Sequence, residues 1–462
     1  MAVDGDIYAQ PLYMQGQTMK PAGGEAARHD IVFVATMHNS VYAFDADSPG
    51  MPLWTKNLGP AVATSTYGTA DEPYRDIQPE NGILGPPVID AATSTIFVVA
   101  ATLENGAWFY KLNAVDCLPG TERPGSPVVV AAEVEGTGAG SVNGKITFDA
   151  RQHLQSSGLL LQNGTVFAGF GSHGDNQPCH GSLIGYNTST LEGVSVFNSM
   201  PGGDQGAFWQ SGRAPAADDD GSIYLVNGNG TAGLKSNFGN SILRLDSKGS
   251  SVADFFTPYD VADLNDADSD LMAGPLLIPG TKFVLATGKA GVIYLLDRTN
   301  LEHSATNDSQ IGQRLDTCGP LIFNVALWNR PDGPILYSHS VNAPITASKL
   351  VGGKLGSTPF ASSTDGFPVP YEGMALSANG YLAGTGVLWV LAPSGSPRSP
   401  PILRANNADG LEEIWNSRMN ESDAVGSYMK FASPTVANDK VYVPTGDNQL
   451  AVYGPISGRN TT

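Results

Sequence analysis

Charge is scarce in this 462-residue chain: only 15% of residues are Asp, Glu, Lys or Arg, and acids outnumber bases 44 to 25, for a formal charge of −19. There is no Lys/Arg cluster or basic stripe, so contact with a phosphate backbone is electrostatically disfavoured and nucleic acid is not an expected partner. No apolar run approaches the roughly 18 residues of a spanning helix, which argues against membrane insertion by a helix. Cysteine is rare: Cys117, Cys179 and Cys318 form an odd set. That set permits one disulfide and one free thiol, leaves the pairing open and contains no CxxC or adjacent pair. The N-terminus, "MAVDGDIYAQ", lacks a basic-then-apolar signal pattern and reads as a mature chain with an added Met.

Glycine and proline are abundant instead, at 55 and 32 residues, the composition of a turn-dense, all-β protein. Strand-length apolar runs recur in a fixed order and no long segment keeps a 3.6-residue period. A Pro- or Gly-marked strand such as "LGPPVID" comes first, then an aromatic or β-branched strand such as "TIFVVA", then one ending near Asp or Asn such as "VYAFD" or "VIYLLD". A fourth strand closes most units. Eight such cycles, about 45 to 65 residues apart, predict one closed β-propeller spanning 1–462, with eight four-stranded blades, or seven if the degenerate sixth and seventh cycles merge. The last cycle, "KVYVPTGDNQLAVYG", stops after three strands, and "VDGDIY" at the N-terminus is positioned to supply the fourth and close the ring.

"VYAFDADSPGMPLW" at 41–54 explains the repeat. Ala43 is small enough for close blade contact, Asp45 can satisfy turn amides, and Trp54 can lie against the next blade. This pattern resembles the tryptophan-docking motif of the pyrroloquinoline-quinone-like β-propeller repeat family. It is matched at 43–54 and 405–415, and in part at 114–120, where no Trp follows. Within that family, "GSHGDN", "FWQSG", "FFTPYD" and "SPTVAND" resemble a group of secreted quinone-propeller-like proteins that includes fungal hetero-Diels–Alderases of tropolone-sesquiterpenoid biosynthesis.

The long loops, 58–82, 135–156, 171–181, 198–212, 227–240, 258–273, 361–372 and 417–430, fall on one face of the ring. A funnel there is the default site for a small apolar or aromatic ligand. As hydrogen-bond donors or acids we select His173, Tyr259, Lys289, Tyr371 and Lys430; His38, Glu80, Trp209, Gln210, Phe367 and Met374 are candidate substrate contacts. Asp76, Asn81, Asp175 and His180 share those loops, and Arg213 and His339 are further polar residues beyond them. His173 and His180 lack a third ligand at a zinc spacing. "DLNDADSD" carries Asp266, Asp268 and Asp270, but Leu271 stands where a calcium loop needs Gly, so a solvated loop is expected. "NGNG" at 227–230 fits either a ligand-approach loop or a tight turn. No metal is expected. Nucleophile-elbow, Walker and dinucleotide fingerprints are all missing.

Asn-x-Ser/Thr triplets begin at Asn163, Asn187, Asn229, Asn307, Asn420 and Asn460, which points to a glycosylated protein of the secretory pathway or the extracellular space. Four functions compete on these residues. The resemblance to quinone-dependent dehydrogenases implies a quinone held by an adjacent Cys pair or by charged residues around calcium, and neither set is matched here. A carbohydrate-active or lactone-cleaving propeller would draw on funnel His, Tyr and Arg residues, and a non-catalytic binding scaffold would need no such groups. The resemblance to the hetero-Diels–Alderases implies a cofactor-free cycloaddition joining a tropolone-derived quinone methide to a hydroxylated humulene. That reaction requires a shaped cavity rather than a nucleophile or metal.

Overall fold

The structure is a computed structural model that describes residues 1–19, 26–48, 50–68, 74–174, 176–233, 236–316, 319–367, 373–395 and 399–454. Eight antiparallel sheets follow one another along the chain as the blades of a β-propeller. Helix is confined to Val261–Asp266 and four single 3₁₀ turns among the described residues. Blade one is built from Leu12–Met19, Ala27–Ala35, Ser40–Asp45 and Trp54–Asn57, paired in sequence order. Blade eight has three strands, Thr435–Ala437, Lys440–Pro444 and Leu450–Tyr453. Two short accessory hairpins, Val62–Ala63 with Glu80–Asn81 and Glu133–Glu135 with Lys145–Thr147, lie outside the blades.

Strand alternation explains the ring. In Ala27–Ala35, Ile31, Phe33 and Ala35 pack with Ile96, Val98 and Ala100 of blade two. Val32 and Val34 point the other way, to Tyr442 and Leu450 of blade eight. A strand buried on both faces must be apolar at every position, and "IVFVA" is. Each such side chain contributes about 1.5–3 kcal/mol by leaving water, so the blade interfaces carry the stability.

Closure occurs as expected, in reduced form. The N-terminal segment makes one bridge, Ala2 to Gln449. Met1 and Leu450 exchange backbone hydrogen bonds at 2.9 and 2.8 Å, and the Val3 and Ile7 amides donate to Asn448 and Thr445. Between these contacts the segment turns to blade one instead: Asp4 accepts from the Thr36 and Ser40 hydroxyls, and the Asp6 carbonyl accepts from the Met37 amide. Blade six departs from the four-strand rule too: both Lys354–Leu355 and Ala361–Phe367 pair with Ala343–Val351.

The tryptophan motif acts between blades. Trp54 donates its indole N–H to the Cys117 carbonyl at 2.9 Å, and its ring lies over Gly120, where a Cβ would come within 2.5 Å. Asp45 accepts from the Asp47 and Ser48 amides. At the second match, Trp415 meets Tyr453 of blade eight at 5.7 Å between ring centroids. Cys117 is a free, buried thiol whose pKa burial pushes up to about 12. Cys179 is buried as well, and Cys318 lies outside the described residues.

Candidate active site

Residues that precede an inner strand, or end the strand beside it, converge on the ring axis at one face. They enclose a cavity of about 290 Å³. Tyr8 comes from the N-terminal segment, Tyr74 and Asp76 from the loop after blade one, and Trp209 from the run into blade four. Asp270, Met272 and Lys289 come from blade five, Phe323 from the approach to blade six, and Lys430 with Phe431 from the approach to blade eight. Five aromatic rings thus form the walls. Below them a channel of about 670 Å³ runs between the inner strands and shares Tyr8, Gly212 and Phe431 with the cavity floor.

Charge in the cavity is organised in two ion-paired groups. The Lys289 ammonium lies 2.5 Å from Asp270 and 2.9 Å from Asp268. Asp270 also accepts from the Trp209 indole at 3.3 Å and the Asn229 amide at 2.7 Å. Burial pushes the Asp270 carboxyl above the usual carboxylate range, and Lys289 only partly offsets this. For Lys289, burial works against the charge, but Asp270 and Asp268 outweigh it and hold the ammonium above its ordinary pKa. Lys430 donates to Asp76 at 2.7 Å and its ammonium stands 4.9 Å from the Phe431 ring centre. The pairs therefore offer fixed N–H donors rather than bases.

"NGNG" acquires a reason here. A Cβ at Gly228 would fall 2.3 Å from the Asp270 carboxylate and 2.7 Å from the Trp209 ring. Glycine lets those two groups approach the backbone so closely. The acidic run is solvated at Asp266 and Asp268, as its sequence suggested, but Asp270 is buried, because blade five begins there and carries it inward.

Of the residues chosen from sequence, Trp209, Lys289 and Lys430 line the cavity. His173 does not. It stacks on Tyr67 with ring centroids 3.7 Å apart, behind the cavity wall residue Tyr74 at 5.0 Å, and neither ring nitrogen has a partner. Burial, reinforced by His153, lowers its pKa to about 3, so it is neutral. Tyr259 is exposed at 49% and lies 5.1 Å from the Arg314 guanidinium, away from the cavity. His38 and Glu80 pair with each other at 3.0 Å without lining it. Gln210 is fully buried and bonds Arg213 and Val226 backbone. Phe367 belongs to the core of blades six and seven, as does Met374, which also reaches the channel. Tyr371 and Asp175 lie outside the described residues.

Asn163, Asn307 and Asn420 are exposed, and Asn187 is half-buried at a turn. Asn229 is buried, with its side chain bonded to Asp268 and Asn240, so a glycan does not fit there. Asn460 lies outside the described residues. Sequence reasoning missed Tyr8, Tyr74, Phe323 and Phe431 as walls. Phe431 alone carried a signal, since it follows Lys430 directly.

No family model matches the chain, and no curated protein matches it significantly. Solved structures do. BamB from Moraxella catarrhalis is 14% identical, with 98% of this chain and 99% of that chain covered and a TM-score of 0.51. The quinohemoprotein alcohol dehydrogenase from Comamonas testosteroni is 14% identical over 96% of this chain and 72% of that chain, with a TM-score of 0.54. Quinohemoprotein alcohol dehydrogenase ADHIIG from Pseudomonas putida HK5 is 13% identical, over 96% and 71%, with a TM-score of 0.53. At these identities the likeness establishes the β-propeller fold shared with quinoproteins and BamB.

Proposed function

We propose that the chain is a cofactor-free hetero-Diels–Alderase that joins a tropolone-derived quinone methide to a hydroxylated humulene-type sesquiterpene. The observation that carries this reading is the cavity itself: aromatic walls around two lysine ammonium groups already held by carboxylates. Such a lining suits neutral, flat, oxygenated rings. Stacking on Trp209 and Tyr74 would orient the quinone methide, and N–H donors from Lys289 or Lys430 would polarise its carbonyl oxygen. At about 290 Å³ the enclosed part is at the small end of ligand sites. It accommodates the tropolone partner, with the macrocycle in the open funnel above.

Loss of water from the precursor alcohol needs a proton at the departing oxygen, and Lys430 beside Asp76 is the group placed to lend it. The cycloaddition then forms one C–O and one C–C bond with no proton transfer. Its acceleration comes from holding the partners in a near-attack arrangement, which can be worth several kcal/mol.

Quinone-linked oxidation is the competing reading, favoured by one observation: Asp270 is a buried carboxylate beside Trp209, where it could take an alcohol proton. The charge balance fits such a cofactor poorly. Pyrroloquinoline quinone is a tricarboxylate, and here Asp76, Asp268 and Asp270 already outnumber Lys289 and Lys430. Among the described residues no three His, Cys, Asp or Glu side chains are grouped to hold a metal.

The test incubates the protein with a quinone-methide precursor and hydroxyhumulene and follows adducts by chiral chromatography, with and without chelator. Expected is one stereoisomer, formed faster than in buffer and insensitive to chelator, with Trp209→Ala slowing it about 10–100-fold. A product profile equal to the buffer control removes the reading, and quinone-dependent alcohol oxidation would replace it.

A further inference from the structure

The segment that closes the ring also enters the site. Tyr8 lines both the cavity and the channel beneath it, so it stands at the floor between them. Its neighbours hold it there from both sides. Ile7 is fully buried in the packing of blades eight and one, and Ala9 in that of blades one and two. The Ile7 amide donates to the Thr445 carbonyl at 3.0 Å, and the Gln10 side chain donates to the Pro434 carbonyl at 3.2 Å. With both neighbours committed to the blades, the ring between them is left to face the axis.

The Tyr8 hydroxyl is also the uncommitted donor of the cavity. Lys289 and Lys430 are ion-paired, the Trp209 indole N–H goes to Asp270, and the Ser156 hydroxyl goes to the Trp209 carbonyl at 3.2 Å. The Tyr74 hydroxyl lacks a partner too, but packing seals it from solvent and from any ligand. Tyr8 Oη makes no hydrogen bond to a described residue and is not sealed. Burial, with Asp6 and Asp76 adding to it, raises its pKa above the ordinary phenol value, so the group stays a protonated donor.

A hydroxyl left open at the floor of a cavity is completed by an acceptor on what the cavity binds. We propose, resting on the cycloaddition reading, that Tyr8 orients the flat partner by donating a hydrogen bond to its non-reacting ring oxygen. The reacting oxygen is left to Lys289 or Lys430. No proton is transferred, and no covalent bond forms or breaks at Tyr8. The bound oxygen points down the axis, which turns the reacting edge toward the open funnel where the second partner enters. The strap that closes the propeller thereby fixes the direction of attack.

The test measures the binding of two non-reacting probes by calorimetry: tropone, a flat ring with one carbonyl oxygen, and azulene, a flat ring system with none. Tyr8→Phe removes the hydroxyl alone. It should weaken tropone about five- to tenfold and leave azulene within about twofold. Tm should stay within about 1 °C, since the lost atom bonds nothing in the protein. In the cycloaddition assay the same variant should raise KM by about the factor seen for tropone, change kcat less than about threefold, and mix the stereoisomers. No binding of tropone to the wild-type protein, equal losses for both probes, no loss for tropone, or a Tm fall of several degrees overturns the proposal. If the variant loses tropone selectively while the wild-type protein forms no adduct, Tyr8 keeps its role as a ring-carbonyl donor and only the cycloaddition falls. Adduct formation that the variant leaves unchanged does the reverse.

Discussion

Replacing Lys289 by Met tests the electrostatic construction of the cavity. The Asp270 side chain is 4% exposed and that of Lys289 22%, so the substitution strands a buried carboxylate. Breaking a buried pair usually costs about 3–5 kcal/mol. Here the Asn229 amide and Trp209 indole stay bonded to Asp270, which reduces the loss to about 2–3 kcal/mol at pH 7.5. Unfolding entropy near 2.1 cal/mol/K per residue gives roughly 1 kcal/mol per kelvin for 462 residues. Tm should therefore fall by about 2–3 °C.

The pH dependence fixes the cause. An acid whose folded pKa is raised stabilises the fold while protonated, and that contribution is lost as pH rises through the folded value. Burial already raises Asp270, and removing Lys289 raises it further. The deficit should shrink below about 1 kcal/mol at pH 4.5, while the raised pKa of Lys289 itself matters only in the alkaline range. Scanning fluorimetry at both pH values, with Asp270→Asn added to the Lys289→Met background, reads this directly. The double variant should recover most of the lost Tm. A deficit equal at both pH values, or no recovery, would refute the stranded-carboxylate account.

Asp6 has its pKa raised to about 6 by burial, Asp447 and Glu80, so its ionisation opposes folding as pH rises past that value. Asp6→Asn should stabilise by about 1 kcal/mol at pH 7.5, after allowance for its partial exposure, and give nothing at pH 4; a gain at both would point elsewhere. At Gly120, φ is +69° and a Cβ would strike the Trp54 ring. Gly120→Ala should cost about 2–4 kcal/mol, with a shift in tryptophan emission that a purely backbone effect would not give. Deleting residues 1–6 removes the Met1 and Val3 pairing to blade eight and exposes a strand edge. Oligomers should appear by size-exclusion chromatography, and a monomer with unchanged Tm would show that the segment does not close the ring.

The blades were legible because their signal is local and repeated. A strand buried on both faces leaves no room for polar residues, and turns between strands need Gly, Asn or Asp, so "IVFVA" and "VYAFD" declare their places. Six of the eight funnel loops read from sequence supply residues of the cavity, through Tyr74, Leu154, Gly174, Trp209, Asp270 and Lys430. Which side chain faces inward was not legible. His173 and Gly174 are adjacent on one loop, yet Gly174 lines the cavity while His173 stacks behind it on Tyr67. Packing decides that outcome: His173 is drawn behind the wall by Tyr67 and Tyr74, rings contributed by a loop distant in sequence.

Asp270 shows the same limit from the other side. Its neighbours Asp266 and Asp268 suggest a wet acidic loop, and only the start of blade five at Leu271 turns the third carboxylate into the protein. Once buried, it needs a cation and two N–H donors, and these come from the end of the next strand, from Gly228 leaving space for the Asn229 amide, and from Trp209. The result is a cavity whose charges are internally satisfied before any ligand arrives. A ligand entering it gains little from bringing charge and much from burying flat apolar surface. That preference for neutral rings links the packing of blade five to the proposed cycloaddition.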